Sequence, residues 1–185
     1  GKNGSYVSLQ AGILTNLSDF TVSAWVYINT QQTWARLFDI GYGTTQYMAF
    51  IPYDNNGKGQ FGITVNGASS SQSIVGANVP AGQWTHVAIT RFGSTGTYYL
   101  NGKVAATATI TLSPSQLNNG TQQFWIGRSQ SSSDPYLNGI VDDFRIYRGA
   151  LSQAEVASLA QTLNVYYKFD ESAGSTSISD SSGNN

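Results

Sequence analysis

The stretch YLNGIVDDFRIYRGALSQAEVASLAQTL, residues 136–163, carries the most information about the fold. Its first half is typical of a half-buried strand, because Ile140, Phe144 and Ile146 lie two or four positions apart and share one face. Asp142 has the same parity, so we expect its carboxylate to point toward the apolar side. A carboxylate in that position requires a partner, which is a metal ion, an arginine or a row of backbone amides.

The second half of this stretch predicts a short helix near residues 152–162. Ser152 is a suitable N-cap, and Glu155, three residues later, completes a capping box. Apolar residues then follow at the spacing of one helix face, namely Val156, Leu159, Ala160 and Leu163. We expect this to be the only α-helix of the chain.

The same stretch resembles the C-terminal signature of bacterial laminin-G-like domains, which are concanavalin-A-like jelly rolls. Four upstream segments resemble the same family and occur in its order: FTVSAWV (20–26), WTHVA (84–88), YLNGK (99–103) and IGRS (126–129). The resemblance covers residues 6–163. It implies an all-β fold of two antiparallel sheets, with sugar binding or adhesion as the usual role and a secreted enzyme as the usual parent protein.

Length and composition indicate a single domain with a weakly charged surface. The chain has 185 residues, of which 40% are hydrophobic and 10% charged, and its formal net charge is −1. Binding to nucleic acid or to anionic membranes needs basic patches, so we expect neither partner. A surface of Ser, Thr, Asn, Gln and Gly suits a secreted, extracellular protein that meets neutral polar ligands. The absence of cysteine excludes disulfides and thiolate metal sites.

The remainder of the chain predicts a β-sandwich. About a dozen short strands, separated by turns at a spacing of roughly 8–12 residues, are typical of this architecture. Residues 20–28 form the clearest strand, because apolar and other residues alternate along its whole length. Trp25 and Trp84 occupy strand positions that resemble those of the family, and we expect both to be packing residues. The run ASSSQS, residues 68–73, is polar and of low complexity, and we expect it to lie at the surface.

The C-terminal tail resembles the beginning of a family domain rather than its end. It contains the strand-like VYYKF (165–169), an acidic and glycine-containing loop (170–174) and the segment DSSGN (180–184). Either the tail starts a second, truncated repeat, or the domain is circularly permuted. We favour permutation, because termini of such sandwiches lie close together. Residues 1–185 then form one domain, in which 165–185 supply the strand and loop that usually come first.

The carboxylates do not predict a catalytic pair. Glycosidases need two carboxylates that face each other across a cleft, whereas the chain has only Glu155, in the capping box, and Glu171. Asp142 and Asp143 are adjacent and would point to opposite faces of a strand. The single histidine, His86, lies in a strand and is expected to be a packed residue. We therefore expect no enzymatic activity.

The resemblance implies a structural calcium ion. Calcium prefers six to eight oxygen ligands from carboxylates, amides and backbone carbonyls. The loop with Asp180, Gly183 and Asn184 resembles the calcium-bearing loop of the family, and Asp142 resembles the carboxylate that meets it from the last strand. The alternative is that Asp180 forms an Asx-turn and that Asp142 pairs with Arg145 or Arg128.

Several aromatic residues in loops are candidates for sugar binding. Sugar rings stack on Trp and Tyr, and a few polar groups bind the hydroxyls and fix the orientation. The candidates are the aromatic residues Trp34, Tyr42, Tyr47, Tyr53 and Tyr136 and the polar residues Asn55 and Arg128. The alternative for each aromatic residue is packing at the edge of the sandwich.

The sequence therefore predicts a non-catalytic, calcium-stabilised carbohydrate-binding module. We expect its ligand to be a polysaccharide or oligosaccharide, its state to be monomeric, and its parent chain to contain a catalytic domain of a secreted polysaccharide-degrading enzyme. The alternative is an adhesion or cell-surface domain whose loops bind a protein partner.

Overall fold

The computed structural model describes residues 4–10, 12–118 and 121–161. These residues form an all-β sandwich of two antiparallel sheets with one short α-helix, which confirms the predicted fold class. The elements are β1 (Val7–Ser8), β2 (Phe20–Ile28), β3 (Phe38–Gly41), β4 (Tyr47–Ile51), β5 (Lys58–Thr64), β6 (Gln72–Ala77), β7 (Trp84–Phe92), β8 (Thr95–Leu100), β9 (Lys103–Thr109), β10 (Gln123–Ile126), β11 (Gly139–Arg148) and α1 (Gln153–Leu159).

The core lies between a six-stranded and a five-stranded sheet. The six-stranded sheet has the order β1-β10-β3-β4-β5-β6, and the five-stranded sheet has the order β11-β2-β7-β8-β9. Alternation along β2 is as predicted, because every second residue from Phe20 to Ile28 is apolar and buried in the core. In the six-stranded sheet, the paired residues Phe38, Phe50, Phe61 and Ile74 form an inward row. The other face of the six-stranded sheet therefore points away from the core.

The segment 68–73 lies at the surface, as expected: its 3-10 turn, 68–70, is exposed, and residues 71–73 are half-buried. From Gln72 it continues into β6, in which Ile74 is fully buried. One expectation about an individual residue is wrong. Trp84 is 44% exposed and touches Tyr27 edge-to-face, with ring centroids 5.8 Å apart. It is therefore a surface residue on the outer side of the five-stranded sheet.

The expected inward orientation of Asp142 is also wrong, because β11 contains a bulge. Asp142 pairs with Trp25 and Arg145 pairs with Ser23, so the register shifts between these two pairs. Asp143, inside the bulge, has a φ of 52°. The bulge reverses the alternation: Val141, Phe144 and Ile146 pack against the core, whereas Ile140 is 53% exposed and Asp142 is exposed.

Helix α1 covers part of the outer side of the five-stranded sheet. The predicted capping box is present, with Ser152 Oγ accepting from Glu155 N and Glu155 Oε2 accepting from Ser152 N at 2.7 Å. Val156 is fully buried against Ala88 and Tyr99. Gly102 of the β8–β9 hairpin lies so close that an added Cβ would be 2.7 Å from Ala157 Cα. Other parts of this sheet face, including Trp84, stay exposed.

Candidate functional site

The outward side of the six-stranded sheet has a floor of small side chains. Cross-strand pairing places Trp125, Asp39, Ala49, Gly62 and Ser73 in one row across five strands. Paired residues project their side chains to the same face. Because Ala49 and Gly62 occupy the middle of the row, the sheet is open above β4 and β5.

A cleft of about 310 Å³ lies above this floor, and we call it the sheet cleft. Its lining residues are Trp34, Arg36, Tyr47, Ala49, Ile51, Gln60, Gly62, Ala68, Ser71 and Asp134. An adjoining depression of about 240 Å³ shares Arg36, Tyr47 and Ala68 with it and reaches Ser129 and Gln130. Two predicted sugar-binding residues, Trp34 and Tyr47, therefore line the same cleft, and both are half-buried.

Arg36 occupies one wall of the sheet cleft as part of an ion-pair network. Its Nη2 donates to Asp134 Oδ2 at 3.0 Å, and its Nε lies 3.5 Å from Asp39 Oδ2. Its Nη1 donates to the carbonyl of Trp34 at 2.5 Å. Arg36 is 8% exposed, so two carboxylates and a carbonyl neutralise and hold this cation inside the protein.

Asp39 lies at the base of this network and is 1% exposed. Burial raises the pKa of its carboxyl group to about 7. The hydrogen bond from Gln130 N and the positive charge of Arg36 act in the opposite direction, but their effect is smaller. Its Oδ2 accepts from Gln130 N at 3.0 Å, while its Oδ1 has no hydrogen-bond partner in the described part of the chain. Asp39 thus ties the loop after β10 to β3.

A second cluster borders the sheet cleft on the β10 side, and we call it the Arg128 cluster. The guanidinium carbon of Arg128 lies 4.0 Å from the ring centroid of Trp125, 4.6 Å from that of Tyr6 and 6.0 Å from that of Tyr136. Tyr6 and Trp125 meet edge-to-face with centroids 5.8 Å apart. The predicted residues Arg128 and Tyr136 are therefore brought together.

The other predicted sugar-binding residues, Tyr42, Tyr53 and Asn55, are not among the residues that line the sheet cleft or hold Arg128. Tyr42 packs edge-to-face on Phe124, and its hydroxyl accepts from Gln122 at 3.3 Å. Tyr53 is half-buried, its carbonyl accepts from Trp34 N at 3.1 Å, and it precedes a turn in which Asn55 is exposed. Neither Tyr42 nor this turn lines the sheet cleft.

Sequence reasoning does not select Arg36, Asp39, Trp125 or Tyr6. Alternation along the strands could have identified two of these residues. Asp39 lies between the inward residues Phe38 and Ile40, and Trp125 lies between Phe124 and Ile126. Both must therefore face outward. The order of strands that brings them side by side is not visible in the sequence.

The calcium site stays a prediction. Asp142 is exposed and its Oδ1 accepts from Asp143 N at 2.8 Å, so it needs no ion to offset burial. Asp143, rather than Asp142, pairs with Arg145, at 2.7 Å. Asp180, Gly183 and Asn184 lie outside the described residues, as does the whole tail 165–185. Among the described residues, no three His, Cys, Asp or Glu side chains are grouped so as to hold a metal ion.

The sequence profile described as the concanavalin A-like lectin/glucanases superfamily, of the laminin G type, matches residues 1–157. The chain belongs to this family. No curated protein sequence matches this laminin-G-like domain.

Several solved structures share the fold of the laminin-G-like domain. Domain 4 of AbnA, an extracellular GH43 arabinanase from Geobacillus stearothermophilus, in complex with arabinotriose, is 25% identical, with a TM-score of 0.68 over 87% of this chain and 79% of that chain. The CBM40 of the Ruminococcus gnavus IT-sialidase, bound to α2,3-sialyllactose, is 16% identical, with a TM-score of 0.66 over 78% and 84% of the two chains. A SAP-like pentraxin from Limulus polyphemus is 18% identical, with a TM-score of 0.58 over 85% and 81%.

The described part of the laminin-G-like domain has no helix that is long and apolar enough to span a membrane.

Proposed function

We propose that this laminin-G-like domain is a non-catalytic carbohydrate-binding module of a secreted polysaccharide-degrading enzyme. The sheet cleft is the observation that carries the proposal. It combines two half-buried aromatic walls, Trp34 and Tyr47, with a floor of small residues at Ala49 and Gly62. Sugar rings stack on such walls when the floor leaves room for them, and a few polar groups at the rim fix their orientation.

The electrostatics of the sheet cleft suit uncharged sugar residues. Arg36 is its only cationic lining residue among those described, and its charge is held by Asp134 and Asp39. An anionic ligand entering the cleft would approach these two carboxylates without gaining a free cation. Gln60 and Ser71 supply neutral hydrogen-bonding groups at the same place.

The carboxylates near the cleft are engaged in structural contacts rather than poised as an acid and a base. Asp39 is buried and joins β3 to the following loop through Gln130. Asp134 accepts from both Arg36 and Ser129, at 3.0 and 2.7 Å. Glycoside hydrolysis needs two carboxyl groups that reach the bond to be cleaved, which supports a binding role.

The comparisons support this proposal at the level of domain type. The arabinanase domain was solved with arabinotriose and the sialidase module with sialyllactose, and both belong to glycan-degrading enzymes. We extend this by analogy to a secreted parent enzyme for the present chain. A structural calcium ion held by the tail and a monomeric state complete the proposal.

Affinity electrophoresis against a panel of neutral and acidic polysaccharides tests the proposal. We expect at least one polysaccharide to retard the domain, and we expect Trp34→Ala to weaken that binding by at least about fivefold, as truncation of an aromatic anchor does. Trp84→Ala is the matched control, because it removes an exposed tryptophan from the opposite sheet. Circular dichroism melting checks that both variants fold.

Two outcomes would contradict the proposal. One is the absence of retardation by every glycan tested, which would favour the alternative of an adhesion domain that binds a protein. The other is equal weakening by the Trp34 and Trp84 substitutions, which would move the binding surface away from the sheet cleft.

A further inference from the structure

Arg128 differs from the other arginines in how its charge is used. The chain has five arginines, and four of them, Arg36, Arg91, Arg145 and Arg148, donate hydrogen bonds to carboxylate or carbonyl oxygens. The Arg128 side chain makes no hydrogen bond and no ion pair with any of the described residues. Its contacts are the rings of the Arg128 cluster. A half-buried guanidinium with unused donors is an available site for an anion.

The rings hold the guanidinium without covering it. Its carbon lies 4.0 Å from the Trp125 centroid and 4.6 Å from the Tyr6 centroid, within the range of favourable cation–π contact. The two centroids are 5.8 Å apart, well short of the sum of those distances. The rings therefore flank Arg128 from two directions at an angle, and they do not enclose it between opposite faces. The rings orient its fork of N–H donors in advance, and none of the residues that the structure describes accepts from them.

The backbone beneath the cluster also fixes its shape. Gly127 has a φ of 82°, and an added Cβ there would lie 3.7 Å from the carbonyl oxygen of Ser5. The chain before β1 thus passes over the residue that precedes Arg128, and this brings Tyr6 to the guanidinium. Gly4 lies against Tyr136 in the same way, because a Cβ added to Gly4 would be 3.5 Å from that ring.

The Arg128 cluster and the sheet cleft lie on the same face of the sheet. Trp125 pairs with Asp39, and Asp39 pairs with Ala49 on the cleft floor. Two strand spacings of about 4.8 Å each separate Trp125 from Ala49, or roughly 10 Å. Asp134, which lines the cleft, is two residues from Tyr136 in the chain. One oligosaccharide chain can therefore contact both places.

We infer that the Arg128 cluster is a subsite for the carboxylate of an acidic sugar residue. This rests on the proposed sugar-binding function, and it assigns the ligand to glycans that combine neutral residues, placed in the sheet cleft, with a carboxylate-bearing residue. The planar carboxylate matches the donor fork of arginine in a bidentate contact. The rings of Tyr6 and Tyr136 stand beside the guanidinium, where they can pack against the sugar ring that carries the carboxylate.

A glycan array with matched pairs tests the subsite. The probes are homogalacturonan, glucuronic-acid-bearing xylan, alginate and sialyllactose, each printed beside its carboxyl methyl ester, together with neutral polysaccharides. We expect at least one acid to bind at least about tenfold more tightly than its ester, the lower range for a charged hydrogen bond. Arg128→Gln should reduce binding of the acid to the level of the ester. Arg128→Lys should retain only part of the preference for the acid, because lysine keeps the positive charge but lacks the planar pair of N–H donors that matches a carboxylate.

The control variant is Lys103→Gln, which removes the same charge from an exposed position on the five-stranded sheet. It should leave the preference for the acid unchanged. Melting curves identify any variant that fails to fold. If an Arg128 variant does not fold, the preference for the acid is measured instead on Tyr136→Phe and on the wild-type domain at raised salt concentration, since both keep Arg128 in place. Raised salt should weaken binding of the acid more than binding of the ester.

The outcomes separate this inference from the proposed function. If neutral glycans bind but no acid is preferred over its ester, or if Arg128→Gln leaves the preference intact, the carboxylate subsite is wrong and the sugar-binding function stands. If no glycan of any kind binds, the proposed function itself fails, and the subsite with it.

Discussion

Two buried titratable groups, Asp39 and His86, should make opposite contributions to the pH dependence of the free energy of unfolding. Burial raises the pKa of Asp39 from 3.8 to about 7 and lowers the pKa of His86 from 6.5 to about 4. Asp39 is 1% exposed and His86 is 2% exposed, so solvent does little to screen either group. His86 Nδ1 has no hydrogen-bond partner among the described residues, and the ring touches Trp25 at a centroid distance of 5.4 Å.

The two groups act in opposite directions between about pH 4 and pH 6.5. In this range folded Asp39 keeps a proton that the unfolded chain has lost, so the free energy of unfolding falls as the pH rises. The unfolded chain protonates His86 while the folded protein does not, so the free energy of unfolding falls as the pH decreases. Each group contributes about 1.4 kcal/mol per pH unit. We therefore expect a nearly flat profile for the wild-type domain.

Single substitutions should separate the two contributions. Asp39→Asn removes the first, and we expect the free energy of unfolding to fall by about 3 kcal/mol between roughly pH 6.5 and pH 4. His86→Gln removes the second, and we expect a rise of about 3 kcal/mol over the same interval. Either change is a large part of a typical stability of roughly 5–15 kcal/mol.

Urea denaturation at half-unit pH steps measures these slopes. The slope is the relevant quantity, because each substitution also changes the stability by a constant amount through lost contacts. Asn at position 39, for example, changes the contacts that Asp39 Oδ2 makes with Arg36 and with Gln130 N. Slopes of the same sign in the two variants, or slopes unchanged from wild type, would show that burial does not shift these pKa values as argued.

Three further predictions concern catalysis, calcium and the tail. The purified domain should release no sugar from any polysaccharide, since Asp39 is buried and Glu155 is held in the helix cap; turnover that stops on replacing one carboxylate would contradict this. A chelator should lower the melting temperature, because removing calcium from a thousandfold excess over its Kd lowers the free energy of unfolding by about 4 kcal/mol. Asp180→Ala should abolish the difference between samples with and without chelator. Identical melting of the wild-type domain with and without chelator argues against the ion. Truncation after Leu163 should give an unfolded or aggregating product, because β11 is the edge strand of its sheet among the described residues and its own Phe144 and Ile146 are only half-buried; a fragment 1–163 of wild-type stability would refute the permutation.

Regular alternation and helix capping account for the parts of the fold that could be predicted. The pattern of β2 and the capping box at Ser152 have local causes, since each depends on residues a few positions apart. The bulge in β11 has no comparable signal, because one residue at positive φ reverses the side of Ile140 and Asp142. Strand β6 escapes prediction because its sequence, QSIVGA, contains small and polar residues, and pairing with β5 rather than propensity makes it a strand.

The candidate site could be predicted only in part for a related reason. Trp34 and Tyr47 are identifiable as loop aromatics, and they do line one cleft. The floor beneath them depends on β3, β4 and β5 lying side by side, which composition does not reveal. Arg36 and Asp134 are 98 residues apart in the chain and form their ion pair only in the folded sheet. The outward side of Trp84 agrees with alternation along β7, because Val87 and Ile89 face the core and Trp84 has the opposite parity.

The polar attachment of the loop between β10 and β11 suggests how ligand choice can change in a laminin-G-like domain. Gln130 accepts from Gly43 N at 2.9 Å and donates to Asp39, and Asp134 accepts from Arg36, so the loop is anchored by a few side-chain contacts at its two ends. Between these anchors, Ser132 and Ser133 are exposed and make no contribution to the core. A library that randomises and lengthens positions 131–133 while retaining the anchors should yield folded variants with altered glycan preference, as antibody loops do on a fixed framework.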